Sequence, residues 1–298
     1  MRFPLPTRFH HLARRSALLS VLVLAALPTT AAMASDHPDE KADGGRVSAK
    51  ILGGRVDTRT DNRWVTGLLV KGSGSRFERQ FCGGSLVART YVLTAAHCVV
   101  DGETGRVASA SMLQALVGAK DLNRSGQLLN VSRVIVYPRY RPSTSYGDMA
   151  LLKLSRSANY APAALVRAGT HYVGTMGYIA GWGNRAPIFS GVNDFPTKLH
   201  SASIPIVADR YCKRSGTPAA DPNYRGAVMI CAGYAKGRPD TCQGDSGGPL
   251  ARKVGTRWRI VGVTSYGRPG CGSTNTYGVY SWVGSSILRG WLKSRLGF

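Results

Sequence analysis

Beyond residue 50, short apolar runs alternate with stretches rich in glycine and proline. The runs "RWVTGLLV" (63–70), "YVLTAAHCVV" (91–100), "SRVIVYPRY" (132–140), "MALLKL" (149–154) and "RWRIVGVTSYG" (257–267) are built largely from Val, Ile, Leu and Tyr, and each predicts a strand. Turn residues, drawn from 36 glycines and 15 prolines, separate them. The tail breaks this pattern. In "SWVGSSILRGWLKSRLGF" (281–298), Val283, Ile287, Leu288, Trp291 and Leu292 recur at helical spacing, with Arg289, Lys293 and Arg295 between them. One C-terminal helix, docking that stripe on a β core, is expected. No internal repeat or low-complexity tract interrupts the pattern. The fold class is therefore all-β, and the 248 residues from 51 to 298 suffice for two barrels of similar size.

The first fifty residues read differently. Arg2, Arg8, Arg14 and Arg15 precede the apolar run "SALLSVLVLAAL", and Ala32-Met33-Ala34 offers a small-residue cleavage site. Residues 1–34 thus have the form of a secretory signal, with an apolar run too short to span a bilayer. Residues 35–50, "SDHPDEKADGGRVSAK", are polar and without periodicity, as in a short propeptide or linker. The expected location is secreted, either extracellular or periplasmic. All six cysteines lie between 82 and 271, and an even number in an exported chain predicts three disulfides. Spacing alone leaves every pairing open. No C-x-x-C pair and no H-E-x-x-H occurs, so neither a metal nor a cofactor is expected.

Charge adds a second theme. With 39 Lys and Arg against 16 Asp and Glu the net charge is +23, yet 43% hydrophobic and 18% charged residues describe a globular protein. Losing residues 1–50 would remove 7 basic and 4 acidic residues and leave +20. Such a surface attracts acidic polymers, and it supports an alternative reading in which polyanion binding is the main task. No basic run with interleaved aromatics favours that alternative.

The chemistry concentrates in "DTCQGDSGGPL" (240–250). Ser246 stands among glycines, where backbone N–H groups can converge on an oxyanion without side-chain obstruction. The stretch also satisfies G-x-S-x-G, the nucleophile elbow of α/β-hydrolases, whose Asp or Glu and His follow the serine. From Gly247 to Phe298 there is no Asp, Glu or His, so that assignment fails. The partners must lie upstream. His97, in "LTAAHC" beside a cysteine, is framed by an apolar run, whereas His171 and His200 are not. Asp148, in "YGDMALLKL", directly precedes a strand-like run. The order His97, Asp148, Ser246 is that of chymotrypsin, against Asp, His, Ser in subtilisin.

The motifs "CGGSLV", "VLTAAHC", "GDMALLKL", "AGWGN", "ICAGY", "DTCQGDSGGPL", "TSYG" and "YGVY" together resemble the chymotrypsin family of serine endopeptidases, in its trypsin-like branch. The resemblance spans residues 51–298. It implies two antiparallel six-stranded β-barrels, the N-terminal one about 51–165 and the C-terminal one with its helix about 166–298, with the site between them. It implies disulfides Cys82–Cys98, Cys212–Cys231 and Cys242–Cys271. It makes Ser246 the nucleophile, His97 the base, Asp148 its orienting carboxylate, and the amides of Gly244 and Ser246 the oxyanion hole.

By the same resemblance Asp240 is the floor of a pocket for Arg or Lys, walled by Gly267 and Gly278. Ser265, Tyr266 and Gly267 would pair with the substrate backbone as an added strand. Tyr266 stands where Trp is common in relatives. Asp245 would pair with a new α-ammonium, here that of Ile51 in "AKILGG", freed by cleavage after Lys50. Calcium-binding relatives carry paired acids, where "GAKDLNRSGQLLN" has Asp121 alone. The partners implied are protein or peptide substrates with Arg or Lys at the cleaved position, and protein inhibitors, with a monomer as the working unit.

Overall fold

A computed structural model of the chain describes residues 51–186, 191–214, 221–267 and 270–297. The signal and propeptide expected in residues 1–50, Lys50 included, lie outside the described residues.

The chain enters through a two-residue strand, β1 (Arg55–Val56). Six strands then close the first barrel, in the order β2 (Val65–Val70), β3 (Gln80–Ala88), β4 (Tyr91–Thr94), β7 (Ala150–Leu154), β6 (Gln127–Val136), β5 (Leu113–Val117), with β5 returning to β2. A one-turn helix, α1 (Arg76–Arg79), joins β2 to β3 and is held by a capping box between Ser75 and Glu78. Every pairing is antiparallel, and Leu68, Leu86, Leu129 and Leu152 share the face that fills the interior. Register shifts in β2, β3 and β6 supply the bends that closure requires.

The second half begins with β8 (Ala164–Leu165), which pairs parallel with the long strand β13 (Arg257–Gly267). Its barrel runs β9 (Met176–Gly181), β10 (His200–Val207), β11 (Met229–Ala232), β14 (Gly278–Trp282), β13, β12 (Pro249–Val254), and closes from β12 to β9. The fold is thus the expected pair of closed six-stranded antiparallel barrels. The entry strand β1 belongs to the second, antiparallel to β10. Short helix α2 (Asp209–Lys213) follows β10, and α3 (Ser286–Leu296) ends the described chain.

Two expectations need correction. The run "YVLTAAHCVV" is a strand only to Thr94; residues 96–98 form a 3₁₀ turn, because Ala95 leaves the barrel edge and the chain must bend there. In the C-terminal stripe Leu288, Trp291 and Leu292 are buried, but Ile287 is 38% exposed on the flank of the helix's first turn, and Val283 is buried ahead of the helix. Trp291 meets Tyr137 edge to face at 5.6 Å, so α3 docks on the first barrel.

Disulfides join Cys82 to Cys98, Cys212 to Cys231 and Cys242 to Cys271, the pairs that the resemblance implies. A buried polar cluster also ties the barrels. Lys120, beyond β5, and Tyr178, on β9, donate to opposite oxygens of the Asp57 carboxylate, each at 2.7 Å. Those contacts hold Asp57 far below the usual carboxylate range although its burial opposes this. No helix among the described residues is long and apolar enough to cross a membrane.

Candidate active site

The pairing of β4 with β7 brings the first two site residues together. Thr94 lies opposite Ala150, so the turn beyond Thr94 and the loop ahead of Ala150 emerge at the same barrel end. His97 sits in that turn and Asp148 in that loop. His97 Nδ1 donates to Asp148 Oδ2 at 2.7 Å and the His97 amide donates to Oδ1 at 2.9 Å. The Asp148 carboxylate is fully buried, and it accepts a third bond, at 2.6 Å, from Ser265 Oγ. Ser265 reaches it from a bulge in β13, where the register to β14 shifts between Thr264 and Tyr266.

Burial alone would raise the Asp148 pKa, but the charge and ring hydrogen bond of His97, together with the Ser265 hydroxyl, hold it below the ordinary value. Burial alone would lower that of His97, but the Asp148 charge and hydrogen bond outweigh it and the net shift is upward from 6.5. The imidazole is therefore fixed in one orientation, with Nδ1 engaged by Asp148.

That loop is pinned from both barrels. Gly83 on β3 donates to Ser246 O at 2.7 Å; Gly247 donates to Thr264 O on β13 at 2.8 Å, and Thr264 returns a bond to Gly248 O at 2.9 Å. Cys98 Sγ lies 3.6 Å from Ser246 O and 3.9 Å from His97 Nε2, so its disulfide backs serine and histidine together. Among the described residues the Ser246 hydroxyl makes no hydrogen bond; nucleophile and base are commonly further apart before substrate binds. The N–H groups of Gly244 and Ser246 also bond to no acceptor among the described residues. Gly244 adopts φ 91°, a value that L-residues rarely take, and its carbonyl accepts from Gln80 Nε2 at 3.0 Å. Gln80, on β3, carries no motif that sequence reasoning could have used.

Beside the serine opens a cavity of about 190 Å³, lined by Asp240, Ser246, Ser265, Gly267, Tyr277 and Gly278 among others. A β-carbon at Gly267 would meet nothing within 4 Å, so the space beside that wall is open. Asp240 is 8% exposed and accepts from the amides of Thr241 at 2.8 Å and Gly272 at 2.9 Å. Burial nevertheless pushes its pKa up to about 6. Tyr266, on the cleft side of β13, donates its hydroxyl to Asp221 Oδ2 at 3.0 Å.

Asp245 points away from this cavity, into the second barrel. It accepts from the amides of Gly183 at 2.8 Å and Cys242 at 3.0 Å, and a β-carbon on Gly181 or Gly183 would collide with its carboxylate. Burial pushes its pKa up to about 7, reinforced by the charge of Asp240. Among the described residues no cation is ion-paired to Asp240 or Asp245. Ile51 is fully buried with Ile179, Ile206, Ile230 and Leu250, in the same core as Tyr280, and Leu52 O accepts from the Asp240 amide at 3.0 Å.

The other two described histidines lie elsewhere. His171 stacks on Trp282 at 3.7 Å, and His200 is buried in β10 opposite Val56 and Gly181. Cys82, His97 and Cys98 lie close enough to suggest metal ligands, but the two sulfurs are joined in a disulfide.

Two closed barrels, with a histidine–carboxylate pair on one and a glycine-cradled serine from the other, define the chymotrypsin-like class of serine hydrolases. Comparison with known proteins narrows it. The profile of the family described as Trypsin matches residues 51–291, and the chain belongs to that family. It is 36% identical to Transmembrane protease serine 5 of Homo sapiens over 213 residues, 69% of this chain and 44% of that protein. It is 34% identical to Mannan-binding lectin serine protease 1 of Mus musculus over 252 residues, 79% of this chain and 34% of that protein. It is 31% identical to Coagulation factor XI of Bos taurus over 243 residues, 79% of this chain and 36% of that protein. The chain thus spans less than half the length of these curated relatives.

Proposed function

We propose that the chain is an exported serine endopeptidase that hydrolyses peptide bonds after Arg or Lys. The observation that carries this reading is the single cavity edge on which Ser246 and the buried, cation-free carboxylate of Asp240 both lie. A carboxylate so placed is costly unless a cation meets it, and a guanidinium or ammonium on a long side chain is the matching group. With that side chain seated, the carbonyl of the same residue comes to the serine. Ser246 Oγ attacks the carbonyl carbon while its proton passes to His97 Nε2. Asp148 stabilises the imidazolium through Nδ1, and the free amides of Gly244 and Ser246 receive the oxyanion. Collapse breaks the C–N bond, with the proton delivered from His97 to the leaving amine. Water then repeats the sequence on the acyl-enzyme.

In the same reading the chain is made inactive and cut after Lys50. The freed Ile51 ammonium pairs with Asp245. In favour of this, Ile51 takes φ 34°, a value that a β-branched residue rarely holds, and Asp245 is buried with, among the described residues, amide donors and no cation around it. Export rests on the N-terminal sequence and fits three disulfides. The expected partners are protein substrates, protein inhibitors and, through the basic surface, acidic polymers, with a monomer as the working unit.

Peptide-library digestion by the activated protein tests the reading. Cleavage confined to bonds after Arg and Lys is expected, with Asp240→Ser losing that preference by at least 100-fold in kcat/KM. Cleavage after apolar residues, or an unchanged preference in Asp240→Ser, would remove Asp240 from the pocket floor.

A further inference from the structure

We infer that a second groove, beside α2, holds an acidic segment of the protein substrate. The inference deepens the endopeptidase reading and rests on it. The groove encloses about 660 Å³ and is lined by Arg210, Tyr211, Lys213, Arg214, Asn275 and Tyr277. Three of these are cations, all exposed, and among the described residues none is ion-paired to a carboxylate. Among the described residues no acid lines the groove. Asp209, on the same helix, is turned to the Tyr224 hydroxyl at 2.9 Å.

The groove has a fixed frame. The Arg210 guanidinium lies 4.8 Å from the Tyr211 ring centroid, and Tyr211 packs on Tyr277 at 5.4 Å. Cys212, between the groove residues, is bonded to Cys231 on β11, which anchors α2 to the second barrel. Tyr277 is also a wall of the Asp240 cavity. The two depressions therefore adjoin at Tyr277.

Charge complementarity selects an anionic occupant, and adjacency to the Asp240 cavity through Tyr277 favours the substrate chain itself over a separate polymer. Specificity would then have two parts: one cationic side chain read by a carboxylate, and a nearby run of carboxylates read by Arg210, Lys213 and Arg214. Each exposed pair is weak, so the expected gain is about tenfold at low salt for three together, and it falls as salt screens them.

The test compares two peptides sharing one cleavable Arg, one flanked by a four-residue Glu run and the other by Gln. The run is placed on the N-terminal side in one series and on the C-terminal side in a second. The readout is the ratio of kcat/KM for the Glu and Gln peptides in the activated protein and in Lys213→Glu/Arg214→Glu. A ratio of about 10 in one series, falling to 1 or below in the variant and toward 1 in high salt, supports the inference. A ratio of 1 in both series, or one that the variant leaves unchanged, overturns it. If the variant loses retention on a sulfated dextran matrix while the peptide ratio is unchanged, the groove serves a polysaccharide and the inference also fails. Failure of the endopeptidase reading is seen separately, as no cleavage of the Gln peptide.

Discussion

The carbonyl of Gly244 faces Gln80 Nε2 at 3.0 Å, and the same amide group donates to Cys82 O at 3.0 Å. Gln80 thereby ties β3 of the first barrel to Gly244, the residue whose own N–H would meet the oxyanion. It is a positioning residue, acting through Gly244. Gln80→Met keeps the volume and removes the donor. It is expected to lower kcat about tenfold, with KM within about twofold, because a loosened amide acts on the developing charge more than on the bound ground state. Gln80→His, which restores a ring N–H, should recover most of the rate. Steady-state kinetics on an Arg peptide decides; equal losses in both variants, or a rise in KM alone, would leave Gln80 a packing residue. Nothing in "RQFCGG" signals this contact, since the two residues are joined only by folding. The same holds for Ser265, whose hydroxyl reaches Asp148 because a bulge turns it there. His97, Asp148 and Ser246 were legible for the opposite reason: their chain order eliminated the competing hydrolase arrangement, and apolar or glycine-rich frames marked each one.

Elements were legible where one face is dry and the other wet. α3 is the clearest case. Ser285 caps it by accepting from the Leu288 amide, Gly297 closes it at φ 71°, and Leu288, Trp291 and Leu292 face the protein. Leu292→Ala should destabilise by about 2–5 kcal/mol, the usual range for truncating a buried leucine. Ser285→Ala should cost about 1 kcal/mol for the cap and more if the Ser285 bond to Ala227 O at 2.6 Å is counted. Ile287→Ala should stay within about 0.5 kcal/mol, since it lies at the surface. Urea unfolding midpoints rank the three, and an Ile287 effect as large as that of Leu292 would mean the docking face is misassigned. Strands such as β3, with adjacent glycines, and β14, buried at all five positions, show no alternation for the sequence pattern to reveal. At β3 the cause is the contact between the two barrels. Gly83 lies against Gly248, leaving no room for a side chain, so burial there selects small residues over apolar ones.

At the scale of the whole molecule, the two scarce carboxylates of the serine loop link stability to pH. Burial holds Asp245 at a pKa of about 7 and Asp240 at about 6, against 3.8 for an ordinary aspartate. In both cases the folded value is the higher. Each therefore contributes stability to the uncut chain that is fully present below pH 4 and is lost as pH rises through 6 for Asp240 and 7 for Asp245, where the unfolded chain has already released the proton. For Asp245 the loss by pH 8 is on the order of a few kcal/mol, at about 1.4 kcal/mol per unit. An Ile51 ammonium meeting Asp245 would reverse that trend, because the charged carboxylate then has a partner. Ser246→Ala protein, prepared uncut and cut after Lys50, gives the comparison without self-digestion. The two forms are expected to share a urea midpoint at pH 4 and to separate by pH 7.5, with the cut form the more resistant. Asp245→Asn should abolish the separation and stabilise the uncut form at pH 7.5. A cut form no more stable than the uncut one across this range would detach Asp245 from the new N-terminus, and with it the activation step.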